Sequence, residues 1–153
     1  MIKYRLAIKE DVDLYYNWAI EKGVRSNSLN QSDIHYEDHC YWFKNKLDSE
    51  DSYLFIFFIG ESPLGQVRFD VHDCNALIDY SIDFNFRGKG FGSRVLQKAI
   101  NDFLSKKNIS LVAKVDDTNI ASKKVFQKLN FNSIGKEEIK SRIINVYKLN
   151  MTC

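Results

Sequence analysis

The sequence predicts an α/β fold formed as one domain over residues 1–153, with a mixed central sheet of about seven strands flanked by about four helices. Three observations carry that expectation. Strand-type alternation recurs along the chain, two of these segments form an early hairpin, and a glycine-rich turn later joins a strand to an amphipathic helix and a further strand. With 153 residues, 44% of them hydrophobic and 27% charged, there is apolar matter for a sizeable core. No linker, repeat or low-complexity stretch divides the chain.

The elements follow in order. "IKYRLAI" alternates apolar and basic residues as a strand, and "EDVDLYYNWAIEK" then places Val12, Tyr15, Tyr16 and Ala19 at helical spacing. A second helix is predicted in "YEDHCYWFKNKL". The runs "YLFIFFI" and "LGQVRFDV" read as an antiparallel hairpin, joined by a turn holding Pro63, the single proline. After the turn "HDCN", the strand "ALIDYSID" puts Ile78, Tyr80 and Ile82 on one face and Asp79, Ser81 and Asp83 on the other. Beyond the glycines, Phe91, Val95, Leu96, Ala99, Ile100, Phe103 and Leu104 make one apolar helical stripe. "ISLVAKV" resumes a strand, "NIASKKVFQKL" is a helix, and strands near "FNSIGK" and in "SRIINVYKL" close the order β-α-α-β-β-β-α-β-α-β-β. The sheet is expected to be antiparallel early and parallel around the glycine turn.

Charge and composition exclude several functions. Twenty-two basic against 20 acidic residues leave a net charge of +2, too balanced for a dedicated nucleic-acid or membrane-surface binder and better suited to a small anionic ligand. The longest apolar run, "LFIFFI", is far short of the ~20 residues that cross a bilayer, and the first residues lack an apolar segment of signal-peptide length. A cytoplasmic protein is expected. Cys40, Cys74 and Cys153 are odd in number and widely spaced, which predicts reduced thiols rather than a disulfide framework or a metal site. No nucleophile signature pairs any of them with His35, His39 or His72. His35 and His39 are four apart, but Tyr36 occupies the glutamate place of an H-E-x-x-H site, so no metal is expected.

The turn "NFRGKGFGSRV" is the most informative stretch. A strand that ends in glycines and opens a helix leaves backbone N–H groups unpaired at the positive end of the helix dipole, where an anion binds. Gly88, Gly90 and Gly92 allow close approach of a diphosphate, and Arg87 and Lys89 add positive charge. A dinucleotide fingerprint fails because Ser93 stands at its third glycine, and no Walker string is present.

"DFNFRGKGFGSRVL" resembles the acyl-CoA motif [QR]-x-x-G-x-[GA] of the GNAT superfamily of N-acyltransferases, matched by Arg87, Gly90 and Gly92. Downstream, "DDTNIASKKVFQKLNF" resembles the family's second signature through Asn119, Ser122 and Phe126. The resemblance runs along nearly the whole chain. It implies acetyl-CoA as co-substrate, a primary amine as acceptor, and direct attack without a covalent enzyme intermediate. It further implies cofactor contacts from the backbone around Ile82, Asp83 and Phe84, from the turn and helix entrance Arg87, Gly88, Lys89, Gly90, Phe91, Gly92 and Ser93, and from Asn119, Ser122 and Phe126. Lys123, Lys124 and Lys128 are candidates for the CoA 3′-phosphate, against a solvated helix face.

Two departures from the family bear on the chemistry. Leu77 stands where relatives often carry a glutamate, so Asp79, a carboxylate in mid-strand, is the first candidate to accept the amine's proton, with Asp83 behind it at the strand's end. Phe126 stands where a tyrosine commonly protonates the thiolate, and it has no proton to give. Tyr80 and Tyr147 are the substitutes, each with a packed strand tyrosine as the alternative explanation.

The segment "RSNSLNQSDIHYEDHCYWFKNKL", between the first strand and the hairpin, is rich in polar and aromatic residues. It is similar to GNAT domains of bacterial surface-sugar pathways, including pseudaminic acid synthesis, in its "R-x-N-S…H-x-x-W-F" pattern: Arg25, Asn27, Ser28, His39, Trp42 and Phe43. Asn30 belongs to the same stretch. The acceptor implied is a nucleotide-linked aminodideoxy sugar, with rings stacking on it and Arg25 meeting a phosphate. Core packing is the alternative for Trp42 and Phe43, and a bond to a loop carbonyl for His39. Acetylation of a protein N-terminus or lysine, and acyl-CoA binding without catalysis, are the competing functions. The sequence admits a homodimer and identifies neither the amine nor the acyl length.

Overall fold

The computed structural model describes residues 1–29 and 32–151, and of Lys22 the backbone only. Asn30 and Cys153 therefore lie outside the described residues. Strand β1 (Ile2–Leu6) leads through a short 3-10 turn (Lys9–Asp11) into α1 (Val12–Ile20), α2 (Lys22–Asn27) and α3 (Tyr36–Asp48). The strands β2 (Ser52–Ile59), β3 (Ser62–His72) and β4 (Asn75–Ile82) follow, then α4 (Phe91–Lys106), β5 (Ser110–Asp116), α5 (Ile120–Lys128), β6 (Asn132–Ile139) and β7 (Arg142–Leu149). The seven strands form one sheet in the order β1-β2-β3-β4-β5-β7-β6. All neighbours are antiparallel except β4 and β5, the pair bridged by the glycine turn and α4. The expected mixed sheet is present.

There is one helix more than the sequence predicts. Glu21 takes an extended backbone (φ −58°, ψ 136°) that ends α1, and its carboxylate then caps α2 by accepting from the Val24 amide at 3.1 Å. A helix this short, with a glycine inside, has no room for apolar periodicity, which is why the stretch reads as part of a polar loop. Pro63 is also displaced from its expected turn into β3, where a bulge at Phe57/Phe58 accommodates the missing N–H donor.

Strand alternation divides the core in two. Phe55, Phe57, Val67, Phe69 and Ile78 face α4, whose Val95, Leu96, Ala99, Ile100 and Phe103 are all buried, as the apolar stripe predicts. Leu54 and Ile56 face the other way, onto Tyr15 and Trp18 of α1 and Phe43 of α3. The sheet is thus a middle layer between two helical layers. Cys40 is a free thiol, whereas Cys74 is disulfide-bonded, contrary to the expectation that all the cysteines are reduced. Among the described residues, no helix is long and apolar enough to cross a membrane.

Candidate active site

The parallel pair β4 and β5 parts before either strand ends. Pairing stops at Ile78 opposite Ala113, although β4 runs to Ile82 and β5 to Asp116. Asp83 donates its amide to Leu64 on the β3 side, so alternation turns the Tyr80 and Ile82 amides toward the gap. The gap opens into a cleft of about 930 Å³, which reaches from the glycine turn to the segment between α1 and α3.

The glycine turn forms the cleft's floor. Gly88 (φ 73°) and Gly90 (φ 80°) hold left-handed conformations that side chains disfavour, and Gly90 is the residue from which α4 starts. Among the described residues, no carbonyl of a turn or cap takes up the amides of Gly88 to Ser93. These donors and the α4 dipole converge on one spot, the arrangement that receives a diphosphate. Gly92 sits in the first turn of α4, where an added Cβ would lie 3.5 Å from the Tyr80 ring and 3.6 Å from Val125, in ordinary contact. Phe91 and Ser93 also line the cleft.

The charged residues of the turn serve differently from expectation. Arg87 donates to Ile82 O at 2.9 Å and pairs with Glu21 at 2.8 Å, so it ties the turn to β4 and to α2. Lys89 is exposed beside the Phe86 ring and does not line the cleft. Asp83 and Phe84 are also outside it. The Asp83 carboxylate accepts from Trp18 Nε1 at 2.9 Å and from the Asn85 amide at 3.0 Å, and its own amide is already bonded. Phe84 is 70% exposed. The free amides belong instead to Tyr80 and Ile82, for the alternation reason just given.

The second signature meets the same gap. Asn119 caps α5 by accepting from the Ser122 amide at 3.2 Å, and the Ser122 hydroxyl lies 2.7 Å from the Tyr80 hydroxyl. Burial pushes the Tyr80 phenol above its usual value and Asp79 adds to this, while the bond to Ser122 pulls the other way. The phenol therefore stays protonated. Phe126 is buried edge-on to Tyr80 and stacked on Tyr147. Tyr147 is 2% exposed within the core and does not line the cleft, so the packed alternative holds for it. Lys123 pairs with Asp117 at 3.0 Å, and Lys128 approaches Ser93 Oγ at 3.5 Å.

Asp79 stands on the opposite face of β4, its side chain 55% exposed into the cleft. Its Oδ2 accepts from Gln66 Nε2 at 3.1 Å and lies 3.7 Å from Arg68. Arg68 in turn is fixed by Asp70 at 2.8 Å and lies over the Trp42 ring, 5.0 Å from its centroid. Gln66 and Arg68 were not singled out from the sequence. The signal was there: in "LGQVRFDV" Gln66, Arg68 and Asp70 alternate as polar residues on one face of a strand that must otherwise pack. The Gln66 Oε1 atom is buried without a partner. Such an unmade bond costs about 1–3 kcal/mol.

On the acceptor side, Arg25, Asn27, Ser28, His39 and Trp42 all line the cleft, but several are occupied. Arg25 donates to Ala19 O at 2.7 Å, Ser32 O at 3.3 Å and Ser28 Oγ at 3.1 Å, which makes it a clamp on its own segment rather than a phosphate ligand. Arg142, paired with buried Asp116 at 2.6 Å, reaches across to the carbonyls of Ser28 and Leu29 and holds the same segment from β7. His39 is buried with Nε2 3.0 Å from Val12 O, the carbonyl bond expected of a structural histidine, and burial lowers its pKa. Phe43 is 2% exposed in the second core and outside the cleft, so it is not a ligand platform. Exposed Asp33 and Asp38 line this lobe as well. No metal-binding group of His, Cys, Asp and Glu exists among the described residues.

Residues 2–132 match the family model described as the acetyltransferase (GNAT) domain. The chain is 33% identical over 87 residues to a Bacillus licheniformis protein named "Uncharacterized N-acetyltransferase p20"; the match spans 54% of this chain and 49%, about half, of that relative. A solved N-acetyltransferase from Staphylococcus aureus Mu50 superposes with a TM-score of 0.80 at 25% identity, covering 99% of both chains. A spermidine N-acetyltransferase from Vibrio cholerae, solved with CoA and spermine, has the same fold: its TM-score is 0.87 at 13% identity, over 98% of this chain and 95% of that one.

Proposed function

The chain belongs to the GNAT acetyltransferase family, and from that premise we propose that residues 1–153 act as one acetyl-CoA-dependent N-acetyltransferase domain with a small-molecule primary amine as acceptor. One observation carries this reading: the gap between β4 and β5 brings unbonded amides at the start of α4 into the same cleft as Asp79 and Tyr80. Acetyl-CoA fits the residues present, since its pyrophosphate would take the amides of Gly88 to Ser93 and its pantetheine arm would lie along Tyr80 and Ile82. When bound, it supplies an activated acyl group whose leaving thiol has an ordinary pKa near ~8.5.

The chain's own residues orient the reactants, accept one proton and donate another. The Tyr80 and Ile82 amides are donors for an acyl oxygen that gains charge during attack. Asp79 accepts the proton of the amine, directly or through water. The Tyr80 hydroxyl, kept protonated by burial and oriented by its bond to Ser122, gives a proton to the leaving sulfur, the part that Phe126 cannot play. Acetyl-CoA as donor goes with a cytoplasmic site of action.

For the acceptor, the aromatic wall of Trp18 and Trp42 supports an aminodideoxy sugar linked to a nucleotide. A second reading has its own observation: exposed Asp33, Asp38 and Asp79 line the lobe, while the Arg25 and Arg68 guanidinia are engaged within the protein, which favours a cationic acceptor such as a polyamine or a peptide N-terminus. Thiol release from acetyl-CoA, measured with nucleotide aminosugars, diamines and short peptides, tests both. Turnover with one class is expected. Protection of the fold by CoA with turnover of none would leave an acyl-CoA-binding domain and refute the enzyme reading.

A further inference from the structure

We infer, on the acetyltransferase reading above, that Arg142 is a positioning residue for the amine acceptor: from β7 it fastens the C-terminal end of α2, a helix that bridges the parted strands β4 and β5 and forms a wall of the acceptor lobe. Arg142 does not line the cleft, whereas Gly23, Val24, Asn27 and the cap residue Ser28 do. Its effect on the amine therefore passes through α2. Six residues, one of them glycine, are far fewer than a helix needs to be stable alone, so ties to the rest of the fold must hold α2 in place.

Those ties sit at its two ends, on opposite banks of the gap. At the N-terminal end the capping residue Glu21 pairs at 2.8 Å with Arg87 of the glycine turn, which follows β4. The approach is close enough to require a glycine, since a Cβ on Gly23 would stand 2.8 Å from Arg87 Nη1. At the other end Arg142 Nη1 donates to the Ser28 carbonyl and, at 3.4 Å, to that of Leu29, while Nη2 reaches the Ser26 carbonyl at 3.4 Å. A helix end leaves such carbonyls without partners inside the helix. β7 lies next to β5, two places from β4, so this end is on the far bank. A six-residue helix is about 9 Å long, comparable with two strand spacings of about 4.8 Å each.

The anchor on the far bank is rigid. Nε and Nη2 of Arg142 both donate to Asp116 Oδ2, at 2.8 and 2.6 Å, and Asp116 Oδ1 accepts from the amide and the hydroxyl of Thr118. The two side chains are only 18% and 7% exposed, which limits screening of the pair by water. A planar fork that bonds a carboxylate and, at the same time, several carbonyls is what arginine supplies and lysine does not. With both ends fastened, the wall beside Asp79 is ordered before the amine arrives; with one end free, every binding event must first order it. That cost falls equally on the bound amine and on the transition state, so it appears in KM and not in kcat.

The test is steady-state kinetics of Arg142→Lys, which keeps a cation beside buried Asp116 but loses the fork, with whichever of a nucleotide-linked 4-aminosugar, cadaverine and a glycyl peptide the protein acetylates. KM for that amine should rise about tenfold, the equivalent of one lost hydrogen bond, with kcat within about twofold and the Kd of CoA by calorimetry unchanged. Hydrogen exchange should quicken at the amides of residues 24–29 and stay slow in β5 and β7. An unchanged KM, or a fall in kcat and CoA affinity alongside it, as general loosening of the fold would produce, would overturn the inference while leaving the acetyltransferase reading intact. No turnover of any of the three amines by the unsubstituted protein would overturn both. If Arg142→Lys fails to fold, Glu21→Gln, which exchanges the ion pair with Arg87 for a neutral contact, releases the other end of α2 and must raise the same KM; no rise there would refute the bridge and, with it, the role of Arg142.

Discussion

Asp79 and Tyr80 are adjacent in sequence yet face opposite sides of β4, because successive side chains of a strand alternate. Asp79 joins Gln66 and Arg68 on the acceptor side, and Tyr80 joins Ser122 and Phe126 beside α5. A carboxylate and a phenol are thereby held on the two flanks of one gap, where the proposed reaction calls for a proton acceptor and a proton donor. Asp79→Asn preserves shape and the contact with Gln66 but loses the acceptor of the amine's proton. It should lower kcat/KM by about a hundredfold, and the loss should shrink as pH rises and more of the amine arrives already deprotonated. Steady-state rates across pH 6 to about 9 decide this; an unchanged profile would remove Asp79 from the chemistry.

At the scale of elements, the site is a consequence of where pairing stops and where a helix begins. Gly90 must be left-handed for β4 to turn into α4, and nothing lies within 4 Å of a Cβ added there, so Gly90→Ala tests backbone conformation without a clash. The strain of about 1–2 kcal/mol should appear as a lower Tm and a weaker Kd for CoA by calorimetry, with the sheet intact by circular dichroism. A variant with wild-type CoA affinity would show that the turn's geometry is not what binds it. Most of this was legible in the sequence. The strand before the glycines, the stripe of α4 and the cap at Asn119 follow from periodicity and turn chemistry, which are local. What escaped was either too short to show periodicity, as α2 is, or non-local: the tie from Arg87 to Glu21 and the clamp of Arg142 on Ser28, between residues far apart in the chain. Arg25, His39 and Phe43, read as ligands from their pattern, and Tyr147, read as a substitute proton donor, are engaged in packing or local bonding, since a pattern does not reveal which partner reaches a group first.

Across the whole molecule, buried carboxylates tie the layers to the sheet. Asp70 is opposed by burial but held below the usual carboxylate range by Arg68, Lys46 and Ser52, which join β3 to α3 and β2. Asp116 is likewise opposed by burial and held down by Thr118 and Arg142. Carboxyls depressed in the folded state add stability above their unfolded pKa, about 3.9, and that stability is lost as pH falls through the lower folded values. Tm should ease downward below about pH 6.5, where the unfolded chain takes up the proton that burial keeps off His39, and fall steeply below about 4. Asp70→Asn should lower the plateau and flatten the fall, and calorimetric scans in a pH series measure both. An unaltered acid limb would mean that these ion pairs contribute nothing to stability.

The central claim is that main-chain amides, those of Gly88 to Ser93 at the entrance of α4 and those of Tyr80 and Ile82 at the parted edge of β4, receive acetyl-CoA. The most direct measurement is a 1H–15N correlation spectrum recorded while CoA is added. These eight amides should shift first and most, with the Asp83 amide, already bonded to Leu64, moving little. Saturable binding that leaves them in place while others move would contradict the account.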